Sequence, residues 1–154
     1  MVYLKIIRGK YRGGKDIFNV LHYILNEKKN PHAIHNLYDM SMETIKKRAR
    51  QFEIVQEKYR KTSGKRIIHM IISYKENCPY TYDEYTYVGE RMTDFFDGYQ
   101  VVYSLHEKDK NQADVQPHIH VAINPINYRT GKRLRIDKKV LRELKDYVSN
   151  LLVD

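Results

Sequence analysis

Nine residues set the frame of this chain. Arg66-Ile67-Ile68-His69-Met70-Ile71-Ile72-Ser73-Tyr74 is rich in β-formers and apolar on both faces. A strand of that kind belongs in the middle of a sheet, with a packed layer on each side. His69, Ile71 and Ser73 share one face of it, because side chains alternate along a strand. A hydrogen-bonded core imidazole is the plain reading of His69. A His and a Ser at the edge of that face could also approach a site, a reading the core imidazole slightly outweighs.

The remaining elements follow from their periodicity. Val2 to Arg8 reads as a first strand, and Lys10 to Lys15 as a basic, glycine-containing loop without a nucleotide-binding fingerprint. Arg12 and its neighbours could meet phosphate there. Asp16 is placed to cap a helix from about Ile17 to Lys28, with Ile17, Val20, Leu21 and Ile24 inward. At about 100° per residue, Tyr23 falls about 140° from the centre of that inward face and His22 about 120°. Both are reachable from outside the core. Asn30-Pro31 breaks the helix. His32 and His35 follow in an irregular stretch, where packing or surface roles outweigh a ligand role.

Ser41 caps a long helix, about Met42 to Lys61, with Met42, Ile45, Ala49, Phe52, Val55 and Tyr59 as its stripe. Its other faces are rich in Lys and Arg. Thr81 to Phe96 reads as an acidic amphipathic helix, and Tyr99 to His106 as a strand. Pro125 to Leu134 reads as a short hairpin turned at Thr130-Gly131, with Lys132 on its return arm. Asp137 caps a last helix with Val140, Leu141, Leu144, Tyr147, Val148 and Leu151 inward. This order predicts an α+β fold with a central, mainly antiparallel sheet and helices packed on it. The length of 154 residues fits one domain over 1–154.

Pro117-His118-Ile119-His120-Val121-Ala122-Ile123-Asn124 carries the chemistry. As a strand it points His118 and His120 to one side, with Asn124 two further steps along the same face. Such a pair is often plain, partly buried imidazole. His106 changes the balance, since it ends the preceding strand and the connection Glu107 to Gln116 is polar. If the two strands pair antiparallel, three imidazoles converge. They would hold a divalent ion and leave positions open. By ligand preference zinc, manganese, cobalt or nickel would suit them.

The formal charge of +9 points to an acidic partner, nucleic acid above all. The single cysteine, Cys78, excludes a disulfide framework and a thiolate metal cluster. No run of 18 apolar residues and no signal-peptide core occurs, so a cytoplasmic protein with no membrane contact is expected. On a phosphodiester, an ion held by three imidazoles would stabilise developing charge. The nucleophile could be water, giving hydrolysis, or a tyrosine, leaving the strand attached through a phosphotyrosine.

The His118-Ile119-His120 stretch, through Asn124, resembles the His-hydrophobic-His motif of the HUH endonucleases. Its His-x-His-x-x-x-Asn form is that of conjugative relaxases. Asn19-Val20-Leu21-His22-Tyr23-Ile24-Leu25-Asn26 is similar to the N-terminal motif of MOBP-type mobilisation nucleases. His69-Met70-Ile71-Ile72-Ser73 is similar to their second motif. Gly98 to His106 resembles the strand that supplies the first metal-binding His, and Asn127 to Lys132 the following hairpin.

The resemblance implies a metal-dependent, strand-specific nick at a transfer origin. Tyr23 would be the nucleophile, forming a 5′-phosphotyrosyl link. His106, His118 and His120 would hold the ion, which in this family is usually magnesium or manganese. Ser73 would touch DNA, and Asn124 would support the His strand. His69, Arg12 and Lys132 complete the expected DNA-contacting or supporting set.

The resemblance further implies single-stranded origin DNA as partner, accessory relaxosome proteins and a monomer. The chain would be a minimal enzyme or the nuclease part of a longer protein. The implied fold is a relative of the RNA-recognition and ferredoxin-like architectures. Where many members have Asp two residues after the first His, this chain has Lys108, flanked by Glu107 and Asp109. The alternatives are a rolling-circle replication initiator with the same chemistry, a DNA-binding module that leaves no covalent adduct, and a hydrolase of small substrates. The last fits the basic charge least.

Overall fold

The computed structural model describes residues 2–26, 35–74, 80–106 and 117–152. The elements run β1 (Val2–Ile6), α1 (Gly14–Ile24), α2 (Met42–Lys58), β2 (Ile68–Tyr74), α3 (Tyr82–Phe95), β3 (Val101–His106), β4 (His118–Ile123) and α4 (Lys138–Leu151). The strands form one sheet in the order β1-β2-β4-β3, and every neighbouring pair is antiparallel. β2 and β4 are the inner strands, as the two-sided apolarity of β2 requires. An α+β fold with helices packed on an antiparallel sheet is what the periodicity predicts.

Helices cover both sheet faces, and each face has its own apolar cluster. Met70, Ile72, Val121 and Ile123 pack toward α3 and α4, with Val88, Met92, Leu144 and Val148. Val102 and Ala122 pack toward α1 and α2, with Ile17, Leu21, Ile24, Ile45 and Phe52. α3 lies close on β3 because Gly89 has no side chain: a Cβ there would stand 2.6 Å from the ring of Tyr103.

Local chemistry sets the helix ends, and two differ from the sequence expectation. α1 begins at Gly14, not Ile17. Asp16 sits inside the first turn and accepts a hydrogen bond from the Gly13 N–H at 2.9 Å, where a carboxylate also meets the positive end of the helix dipole. The last turn expected for this helix lies partly outside the described residues. α2 starts on Ser41 as expected, with Thr44 N–H donating to Ser41 Oγ at 3.2 Å. It stops at Lys58 because Arg60 takes a left-handed conformation (φ 55°) and Lys61 N–H turns back to the Gln56 carbonyl at 2.8 Å. Thr81 and Glu84 cap α3 reciprocally, and Asp137 caps α4.

The buried stripe of α2 also departs from expectation. Met42 is exposed, while Gln56 is fully buried. Gln56 Nε2 donates to the Arg66 carbonyl at 2.9 Å and to Asn124 Oδ1 at 3.0 Å, and Gln56 Oε1 accepts from Arg66 Nε. Asn124 has no exposed surface. Its Nδ2 donates to the Phe52 carbonyl at 3.1 Å and to Gln100 Oε1 at 2.7 Å, and its Oδ1 also accepts from Ile126 N–H at 3.1 Å. This polar knot fastens the end of β4 to α2. The hairpin forms as a single bridge, Ile126 to Arg133, turned at Gly131 (φ 73°).

The knot makes a prediction about stability. Asn124→Ala removes four hydrogen bonds and leaves buried partners unmatched, so it should cost about 2–4 kcal/mol. Urea unfolding would read this as a lower midpoint at an unchanged m value.

Candidate active site

Strand register assembles the site. His106 pairs with His118 across β3 and β4, Ser104 with His120, and Ser73 with His118 across β2 and β4. All of these residues lie on the sheet face toward α1 and α2, together with His69 and Ile71. The His106 and His120 ring centroids are 4.0 Å apart, and those of His118 and His120 are 5.0 Å apart. One ring nitrogen from each of His106, His118 and His120 lies within 4.8 Å of the other two. The cluster can hold a metal ion.

Hydrogen bonds fix which nitrogens face that point. A backbone carbonyl only accepts, so the His106 Nε2–H donates to the Ile24 carbonyl at 2.7 Å. The lone pair of His106 is thereby on Nδ1. His120 Nδ1 bonds His69 Nε2 at 2.7 Å, leaving His120 Nε2 on the outward side. Burial, then the neighbouring His106, pushes the His69 pKa down to about 4. The same causes, followed by His69 and His118, push His120 down to about 2. Both rings are neutral at pH 7, which is the form that ligates a cation.

Tyr23 stands over this cluster. Its ring centroid is 5.7 Å from that of His120, 6.1 Å from His69 and 6.3 Å from His106. The side chain is about half exposed, at 51%, as its angle on α1 predicts. It borders a cavity of about 310 Å³ whose walls include Tyr11, Asn19, His69 and His120. His22, its neighbour, turns away and stacks on Phe18 with centroids 5.5 Å apart. Geometry thus separates the two residues that angular position alone left as rivals.

The other expected site residues divide by burial. Ser73 is half-buried beside His118, at the edge of the cluster. His69 is 4% exposed and is the hydrogen-bonded core imidazole of the plain reading, directly behind His120. Asn124 is fully buried at the far end of β4, within the hydrogen-bonded knot that joins it to Gln56, Phe52 and Gln100. Arg12 and Lys132 are exposed, on the β1–α1 loop and the hairpin. His35 is not one of the three clustered imidazoles: it forms an antiparallel bridge with Ser104 and accepts from Leu37 N–H through Nδ1. His32, Cys78, Glu107, Lys108 and Asp109 lie outside the described residues.

Sequence reasoning missed Ser104. It faces His120 across the strand pair, is fully buried, and its Oγ has no hydrogen-bond partner among the described residues. Its place in the alternation of β3, two before His106, was the available signal.

A family model described as Relaxase: MobA/VirD2-like, nuclease domain matches residues 23–153. No curated protein and no solved structure matches the chain. Among the described residues, no helix is long and apolar enough to cross a membrane. The match begins at the tyrosine that overlooks the imidazole cluster and runs through all three strands that build it; the chain belongs to the relaxase nuclease family.

Proposed function

We propose that this chain nicks one strand of DNA at a defined site by attack of Tyr23 on a phosphodiester, and can rejoin the ends. One observation carries the reading: the Tyr23 ring overhangs His106, His120 and His69 across an open cavity. The family match supports a single-stranded DNA substrate and a role in mobilising DNA. That both apolar clusters are built on the same sheet supports reading residues 1–154 as one nuclease unit.

In the attack, Tyr23 Oη forms a bond to phosphorus while the bond from phosphorus to the 3′ oxygen breaks. The phenol loses its proton and the departing 3′ oxygen gains one. The product is a 5′-phosphotyrosyl strand and a free 3′ hydroxyl. The phosphodiester bond energy is kept, so the reverse attack reseals the strand.

His106 through Nδ1, His120 through Nε2, and His118 would hold a divalent ion. Bound there, that ion supplies positive charge for the non-bridging oxygens of the scissile phosphate. With Nε2 of His120 on the ion, its Nδ1–H would donate to His69 Nε2, so that His69 holds the ring with Nε2 outward, as partners behind a ligating histidine do. The Ile24 carbonyl does the same for His106. Ser73, beside His118, meets the DNA next to the nick.

Three outcomes test this. Tyr23→Phe should form no covalent adduct with a single-stranded origin oligonucleotide on denaturing gels, while affinity stays within about twofold. Chelation should stop nicking, and magnesium or manganese should restore it; His120→Ala should lower the nicking rate at least about 100-fold and resist that rescue. His69→Gln should weaken metal binding by about 10- to 100-fold in calorimetry. A purely structural His69 would instead lower the melting temperature and leave metal affinity alone.

A further inference from the structure

Away from the imidazoles, three loops bring cations together. The β1–α1 loop contributes Arg8, Lys10 and Arg12, the turn before β2 contributes Lys65, and the hairpin arm contributes Arg133 and Arg135. They line two cavities, of about 450 and 420 Å³, that share Arg12 and Lys65. No acidic residue lines either cavity. None of the six cations is in an ion pair among the described residues.

This is unlike an ordinary solvated face, where long cationic side chains spread apart. Burial lowers the pKa of Lys65, and burial, then Arg135 and Arg66, lowers that of Arg133. The fold tolerates these like charges close together. Arg133 is also held in place: Nη2 donates to the Ser63 carbonyl at 2.8 Å and Nη1 to the Lys65 carbonyl at 3.0 Å. Gly64, between those residues, has φ 74°, a conformation few other residues take. A guanidinium fixed this way keeps its remaining donors oriented and loses little freedom on binding an anion. Ile68, Leu134 and Ile136 add apolar wall to the same cleft.

The cleft adjoins the Tyr23 cavity through Tyr11. That residue lines the Tyr23 cavity, its ring centroid lies 6.0 Å from Lys65 Nζ, and its carbonyl accepts from Arg66 N–H at 2.6 Å. We propose that the cleft is a second DNA subsite, which grips backbone phosphates of the single strand on one side of the scissile bond. Arg133 and Arg135 supply forked donors, Lys65 and Arg12 supply charge, and the apolar wall takes sugar and base surface. The identity of the ligand as DNA rests on the nuclease reading above.

The test is binding rather than cleavage. Anisotropy of a labelled single strand long enough to span both cavities is measured against salt, in the presence of chelator. Neither the Lys65 nor the Arg135 side chain makes a hydrogen bond or ion pair within the described residues, so K65A/R135A probes the cleft and not the fold. That variant should bind at least about tenfold more weakly, and its log-log salt slope should be shallower by about 1.4, since each phosphate contact on a single strand contributes about 0.7. R142A/K145A removes the same charge from exposed positions further along α4, outside both cavities, and should keep the wild-type slope. Equal slopes for wild type and K65A/R135A, or an equal fall in the α4 control, overturn the proposal. The adduct assay reports separately: a slope difference without any Tyr23 adduct supports the cleft and removes the nuclease, while an adduct without a slope difference overturns the cleft alone.

Discussion

Strand register is the constraint on which the site depends. Side chains alternate along β4, so a slip of one residue against β2 or β3 would send His118 and His120 into the apolar layer under α3 and α4, and Ile119 and Val121 out of it. Both faces of the sheet are covered, so the slip is penalised twice: buried imidazoles without partners on one side, and large aliphatic groups crowding α1 on the other. The core that stabilises the fold is thus also what aligns His106, His118 and His120. The polar knot at Asn124 adds a second lock, because its four bonds exist in one register only.

Burial and chemistry pull in opposite directions at His69 and His120. Two imidazoles nearly out of solvent and next to each other resist protonation, so they remain lone-pair donors under conditions where an exposed histidine would begin to charge. Tyr23 is in the contrary situation, half in solvent on the rim of a cavity. A fixed inner layer and an accessible outer group are what a strand-cleaving site requires, since the macromolecular substrate must enter from outside.

Much of this was legible in the residues. The two-sided apolarity of β2 announced a central strand, and the His-x-His alternation of β4 announced a shared face. The helical angle of Tyr23 announced its exposure, but left His22 equally accessible. What separated them was the stacking of His22 on Phe18, a contact one turn apart whose geometry depends on side-chain rotamers that no periodicity encodes. The burial of Gln56 escapes sequence reading for a related reason. A polar residue in an apolar stripe reads as its edge, and only the arrival of Arg66 and Asn124 from distant parts of the chain makes burying it favourable. The start of α1 was missed because Asp16 is equally suited to the cap and to the third helical position.

The bond from His106 to the Ile24 carbonyl ties β3 to the last turn of α1. Ile24 directly follows Tyr23, so the helix end bearing the phenol and the imidazole it overlooks are fastened by one short link. Leverage on either is transmitted to the other. A strand tethered to Tyr23 and pulled away from the sheet would tug the His106 ring with it, and a ring held firmly from below would resist that pull. The protein therefore has, in a single backbone carbonyl, a mechanical connection between the helix end that carries Tyr23 and its imidazole bed.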